Sequence, residues 1–150
     1  MTDKIGLVTG AATGIGAGVC RQLTDKGVRV AVCDINEADG KALADDIGGV
    51  FIPCNVTSLD SVRDAMKACE DQMGVPDYIH LNAGIMTVPT GDPFLAIEDV
   101  TPAQYHNIVG VNLNGVYHGL KVALPAMRQK GGAITITAST AGLSVVPVDP

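Results

Sequence analysis

The sequence predicts a doubly wound α/β fold, a parallel sheet of five strands in the order 3-2-1-4-5 with helices on both faces. Three features of the chain lead to it. Short apolar runs alternate with amphipathic segments along the whole length, strand then helix. The links between them are short, which requires parallel strands joined by right-handed crossovers. Small and polar residues collect where the strands end: Gly10 to Gly16, Asp34, Asn55, Asn82 to Gly84 and Ser139. In a sheet of this order the ligand crevice lies outside the carboxyl ends, between strands one and four.

The elements follow in turn. Ile5-Gly6-Leu7-Val8 is a short apolar run of the kind that makes a buried parallel strand. After the turn Thr9-Gly10-Ala11-Ala12-Thr13-Gly14-Ile15-Gly16, the segment from Val19 to Leu23 opens a helix. Val28 to Cys33 is the second strand, ending at Asp34. Asn36 to Ile47 is a helix closed by Gly48-Gly49. Val50 to Pro53 is a third, shorter strand. Thr57 or Ser58 caps the next helix, and Val62, Ala65, Met66, Cys69 and Met73 form its apolar stripe. Tyr78 to Leu81 is the fourth strand. Residues 85–101, with Pro89, Gly91 and Pro93, show no period and read as a loop long enough to serve function. Thr101-Pro102 is an N-cap followed by a first helical position. The long helical region beyond it has a break near Gly110 and an apolar stripe of Leu113, Val116, Leu120, Leu124 and Met127. Gly131-Gly132 ends it, Ala133 to Thr137 is the fifth strand, and Ser139 stands just past that strand.

Composition narrows the class. The 150 residues are 47% hydrophobic, enough for one domain with a real core. The net charge of −6 leaves no basic footprint, which argues against nucleic acid. No apolar run reaches membrane-spanning length, and Met1-Thr2-Asp3-Lys4 lacks the features of a signal peptide, so a cytoplasmic location is expected. Cys20, Cys33, Cys54 and Cys69 form no C-x-x-C pair, so no metal site is expected. A Cys33–Cys54 disulfide is compatible with neighbouring strand ends, but buried thiols acting as small hydrophobes are the expected state.

The glycine turn is the chemical centre. Gly10 makes the sharp turn out of the strand, Gly14 lets the backbone approach a ligand, and Gly16 packs the helix start on the strand. The N–H groups and positive dipole end of the helix then converge on one place, which suits a pyrophosphate. The spacing G-x-x-x-G-x-G is neither G-x-G-x-x-G nor a P-loop, since no Gly-Lys-Ser/Thr follows. Taken alone it also fits an ordinary strand–helix turn.

With these residues in hand, the chain resembles the short-chain dehydrogenase/reductase family almost end to end. Thr9 to Gly16 matches the family's T-G-x-x-x-G-I-G turn. Leu81-Asn82-Ala83-Gly84 is similar to its N-N-A-G, with Leu in place of the first Asn. Val111-Asn112-Leu113-Asn114-Gly115 looks like the helix with the structural and catalytic Asn. Ile136 to Gly142 looks like the strand end that carries the catalytic Ser. The resemblance implies a Rossmann-like dinucleotide-binding domain over residues 1–150, truncated at its C-terminal end. Asn55 departs from the pattern, standing where the family has an Asp that contacts adenine. The family's Tyr-x-x-x-Lys is also missing: eleven residues follow Ser139 and none is Tyr or Lys.

The resemblance implies an NAD-dependent oxidoreductase that moves a hydride between nicotinamide and an alcohol or ketone. Gly10, Thr13, Gly14, Ile15, Gly16, Asp34, Asn55, Val56, Asn82, Ala83 and Gly84 are the implied cofactor-binding residues, and Ser139 and Asn112 the catalytic ones. Asp34 lies 18 residues after Gly16, where a carboxylate accepts hydrogen bonds from a ribose and repels a 2′-phosphate. A helix-capping role would explain it too. Neutral Thr13, and the absence of Arg or Lys after Asp34, favour NAD over NADP. Ser139 would hold the substrate oxygen and Asn112 would help hold a water-linked proton relay. Tyr117-His118-Gly119-Leu120-Lys121 fits Tyr-x-x-x-Lys by spacing but precedes Ser139, and reads as a packing Tyr with a snorkelling Lys. His80 and His118 read as structural. The competing reading is a non-catalytic dinucleotide-binding fragment or regulator. A small-molecule substrate and a homo-oligomer are the expected partners, and the substrate's identity is not written in these residues.

Overall fold

The structure is a computed structural model that describes residues 3–88, 91–93 and 95–143. Five parallel strands form one sheet in the order β3-β2-β1-β4-β5. They are β1 (Ile5–Thr9), β2 (Arg29–Asp34), β3 (Val50–Pro53), β4 (Tyr78–Leu81) and β5 (Ala133–Ile136). The helices are α1 (Gly14–Asp25), α2 (Glu37–Ile47), α3 (Leu59–Gln72), α4 (Pro102–Ile108) and α5 (Gly115–Lys130). Short 3₁₀ turns lie at Ile97–Asp99 and Thr140–Gly142.

β1 is buried at every position, because it sits centrally with helices over both faces. Val8, Val30 and Val32 pack with Cys20, Leu43 and Ala44 of α1 and α2. Leu7, Ala31, Cys33, Ile79 and Leu81 face the other way, onto Val62, Met66 and Cys69 of α3 and Ala123 and Met127 of α5. All four cysteines are buried thiols. Burial pushes Cys20 up to about 12 and Cys54 and Cys69 up to about 11, which makes them poor nucleophiles at neutral pH.

The helix read as starting at Asn36 starts one residue later: Asn36 is its N-cap, accepting from Asp39 N, and Gly48 closes it at φ +62° as read. Ser58, not Thr57, caps α3. Thr101 and Gln104 form a capping box at α4, with Pro102 at its first position. The break near Gly110 is a π-helical segment, Val109–Asn114.

That segment overturns one expectation in part. Of the stripe Leu113, Val116, Leu120, Leu124 and Met127, Met127 is buried and Val116 and Leu120 pack partly buried on the core, but the other two are not on the buried face. Leu113 is 65% exposed and Leu124 is also exposed, while Gly115, Gly119, Ala123 and Met127 are buried. A π turn inserts a residue and rotates everything that follows. Gly115, Gly119 and Ala123 are small because the helix lies close to its neighbours there. A Cβ on Gly115 would stand 2.9 Å from Val56 Cγ2, and one on Gly119 would overlap Leu81.

At the amino-end edge, Asp77 is 5% exposed. Its carboxylate accepts from Lys4 Nζ (2.8 Å) and Ile5 N (3.0 Å) and pairs with Lys130 Nζ (3.0 Å). Burial alone would raise its pKa; these donors outweigh it and bring it down to about 2. Among the described residues, no helix is long and apolar enough to cross a membrane.

Candidate functional site

All five strands deliver candidate residues to the carboxyl edge of the sheet. The glycine turn leaves β1 with Gly10 at φ +61°, tight against β4: a Cβ on Gly10 would lie 2.6 Å from Ala83 Cα. Gly16 is buried where α1 meets that turn. A Cβ there would overlap the Gly10 carbonyl and stand 2.8 Å from Asn82 Nδ2. Gly14 differs: at φ +55° it has open space where a Cβ would be. Thr13 is the N-cap of α1, yet its side chain caps nothing. Thr13 and Ile15 are exposed at the rim.

Asn82 latches the turn. Its Nδ2 donates to the carbonyls of Thr9 (3.2 Å) and Gly10 (3.1 Å). Its backbone N–H and that of Ala83 both donate to Thr9 Oγ1. Its Oδ1 accepts from Thr137 Oγ1 at 2.9 Å, so β1, β4 and the end of β5 meet at one amide.

Asp34 sits at the end of β2. One oxygen accepts from Ala12 N (2.8 Å) and the other from Asn36 N (2.9 Å). The carboxylate therefore braces the glycine turn and the approach to α2. An ionised carboxylate has about four acceptor sites, so two remain to offer. The next residue, Ile35, is 75% exposed, an apolar side chain beside the turn that the sequence reading passed over. Its signal was an isolated Ile between Asp34 and a helix cap.

Asn55 and Val56 follow β3, whose end is tied to Asp34 by Cys54 N donating to Asp34 O (3.0 Å). Asn55 Oδ1 accepts from both Thr57 N and Thr57 Oγ1. Val56 is buried against Gly115, and its carbonyl accepts from His118 Nδ1 at 2.8 Å. His118 thus has a structural partner.

Asn112 lies in the π segment and is committed at both ends of its amide. Oδ1 accepts from Ile85 N (2.8 Å) and Nδ2 donates to Ile85 O (2.9 Å). This pins the chain just after Gly84, whose absent Cβ would lie 3.6 Å from Asn112 Oδ1. Ser139 is exposed beyond β5, its carbonyl accepting from Gly142 N at 3.1 Å. The structure thus joins Gly10, Asp34, Asn82 and Ala83 through hydrogen bonds to the turn from Thr9 to Ala12, with Gly16 packed against it and Asn112 pinning the segment after Gly84. Tyr117 is outside it. It is 56% exposed on α5, with Lys121 Nζ 3.4 Å from its hydroxyl and 5.6 Å from its ring centre. Of the loop 85–101, Pro89, Thr90 and Phe94 lie outside the described residues.

Comparison with known proteins agrees with this arrangement. The family model described as short chain dehydrogenase matches residues 4–149. The chain is 36% identical over 143 residues to short-chain dehydrogenase reductase ATA1 of Arabidopsis thaliana, covering 94% of this chain and 51% of that protein. It is 35% identical over 149 residues to L-fucose dehydrogenase of Oryctolagus cuniculus, covering 96% and 51%. It superposes with TM-score 0.88 at 25% identity on an alcohol dehydrogenase from the archaeon Thermococcus sibiricus complexed with 5-hydroxy-NADP, covering 97% of this chain and 62% of that one. The chain spans about half the length of the curated relatives it matches. A glycine turn bonded to Asp34 and Asn82 at the strand switch point, and a family match over nearly the whole length, lead to one conclusion: the chain belongs to the short-chain dehydrogenase family of oxidoreductases, which bind nicotinamide dinucleotides.

Proposed function

We propose that this chain is the dinucleotide-binding part of an NAD-dependent dehydrogenase that moves a hydride between nicotinamide and an alcohol or ketone. One observation carries the reading. Helices α2, α3 and α4 are capped by the side chains of Asn36, Ser58 and Thr101, but no side chain caps α1. The start of α1 lies over the glycine turn, beside the open space at Gly14. N–H groups at a helix start want an acceptor, and a pyrophosphate supplies one.

The surrounding residues fit the same ligand. The two remaining acceptor sites of Asp34 suit the ribose hydroxyls and its charge opposes a 2′-phosphate, which favours NAD over NADP. Thr13 and Ile15 line the rim, and Ile35 offers an apolar surface to a base. Asn55 has its carbonyl engaged by Thr57, so it meets adenine with amide N–H, where an Asp could only accept. Val56 closes the adenine end; Asn82, Ala83 and Gly84 shape the ribose side. When bound, the nicotinamide supplies the hydride acceptor or donor. Ser139 holds the substrate oxygen. Asn112 helps hold the water-linked proton relay by pinning the π segment to Ile85. The proton-transfer group is not among the residues after Ser139, so the 150-residue chain by itself is inactive.

The second reading is a non-catalytic dinucleotide-binding fragment or regulator. The exposed, outlying position of Tyr117 and Lys121 favours it. Under either reading residues 1–150 form one dinucleotide-binding domain, in a cytoplasmic homo-oligomer that meets a small-molecule substrate. Titration with NADH and NADPH, followed by nucleotide fluorescence, tests the proposal. Tighter NADH binding is expected; equal or tighter NADPH binding, or none of either, would overturn it. Activity on secondary alcohols only when the reading frame is extended past Pro150 would separate the two readings in favour of the enzyme.

A further inference from the structure

We propose that His80 is a positioning residue for the dinucleotide turn, acting through Thr137 and Asn82; the inference rests on the dinucleotide reading above. His80 lies on β4 opposite Val8 of β1. Its Nδ1 is 2.8 Å from Thr135 Oγ1, and its Nε2 is 3.3 Å from Thr137 Oγ1. Thr137 Oγ1 is in turn 2.9 Å from Asn82 Oδ1. Asn82 Nδ2 holds the carbonyls of Thr9 and Gly10. A continuous chain of hydrogen bonds therefore runs from the β4–β5 surface to the first glycine of the turn.

Counting protons along this chain leaves no choice of direction. Two backbone carbonyls take hydrogen bonds from the Asn82 amide, so Nδ2 is the end that faces them and Oδ1 the end that faces Thr137. Oδ1 can only accept, so Thr137 spends its single hydroxyl proton there. Nothing is left for Thr137 to donate to His80, so His80 Nε2 must carry a proton and donate to Thr137. In the neutral ring Nδ1 then accepts from Thr135. Burial lowers the His80 pKa, outweighing the Thr135 backbone that raises it, and so favours the neutral ring.

A valine at this place could fill the space but not orient Thr137. With no donor from His80, the Thr137 hydroxyl is free to rotate away from Asn82, and the amide that clamps Thr9 and Gly10 loses its backstop. The predicted consequence is a looser glycine turn before any ligand arrives, and weaker binding because the turn must then be ordered.

The experiment has two arms, on the whole chain at pH 7.5. Long-range ¹H–¹⁵N NMR of the imidazole is expected to show His80 protonated on Nε2; a neutral ring protonated on Nδ1 overturns the proposal. NADH titration by fluorescence is expected to give a dissociation constant raised about tenfold, the scale of one net hydrogen bond, in His80→Val and in Thr137→Val. The double variant should be no weaker than either single one, and His80→Gln, whose amide can donate from the place of Nε2, should bind within about twofold of the wild type. Unaltered binding in His80→Val, or additive losses in the double variant, overturns the positioning role. If the wild-type chain does not bind NADH, the dinucleotide reading fails separately. The positioning is then judged on exchange of the Asn82 side-chain amide protons, which must quicken in both valine variants; unchanged rates overturn it.

Discussion

Gly14→Ala and Gly16→Ala differ by two positions in one turn and should fail in different ways. At Gly16 the added methyl has nowhere to go: it would overlap the Gly10 carbonyl and lie 2.8 Å from Asn82 Nδ2 and 2.9 Å from Ala11 Cα. Two of these three neighbours are backbone, so relief requires α1 to move off the turn. Overpacking of this kind costs about 1–3 kcal/mol. For a chain of this size that corresponds to roughly 2–12 °C in melting temperature. At Gly14 nothing stands within 4 Å of the new Cβ, and the cost is the left-handed backbone at φ +55°, about 1–2 kcal/mol. The Gly14 methyl would instead project into the space assigned to the ligand. Thermal unfolding by circular dichroism and NADH titration should therefore separate the pair. Gly16→Ala loses both stability and binding. Gly14→Ala stays folded at 25 °C and loses NADH affinity by at least about tenfold, one lost contact's worth. Unchanged NADH affinity in Gly14→Ala would refute the assignment of that space. An unshifted melting temperature in Gly16→Ala would refute the close packing of α1 on the turn.

Asp34→Ala should narrow the preference for NADH over NADPH, measured by parallel titrations, and an unchanged ratio would remove Asp34 from the selectivity argument. Asp77→Asn should cost about 1–2 kcal/mol at pH 7 in urea unfolding, a full pKa-shift equivalent discounted because Lys4 and Lys130 are partly exposed. Because the folded pKa is depressed, that stabilisation is present above the ordinary 3.8 and is lost as pH falls toward about 2. The gap between wild type and variant should close over that window, and a gap independent of pH would contradict the ion-pair account. The chain should self-associate, since β5 is paired on one side by β4 among the described residues and Tyr105, Leu113, Tyr117 and Leu124 are exposed on the α4–α5 region; a monodisperse monomer in light scattering at high concentration would argue against it. Tyr117→Phe should leave the activity of the frame-extended protein intact, and loss of turnover in that variant would make the Tyr117–Lys121 pair catalytic after all.

Local chemistry made much of this protein legible before folding. The N-cap at Thr101, the left-handed close at Gly48 and the turn at Gly10 are each decided by residues within a few positions of one another, and the strand order was read from the alternation of strands and helices with short links. The apolar stripe of α3 was equally readable, because Val62, Ala65, Met66 and Cys69 themselves fill its buried face. What the sequence could not express depends on distant approach. The buried face of α5 was read only in part, because glycines at 115 and 119 carry no hydrophobic signal, and only Val56 and Leu81, pressed against them, reveal why they are there. The π turn that rotates this helix is held by Asn112 across to Ile85, 27 residues away. The second task of Asp34, bracing Ala12, and the proton order from His80 through Thr137 to Asn82 are likewise contacts between strands. Hydrogen-bond direction depends on which partners meet, and partners far apart in the chain meet only once the sheet has formed.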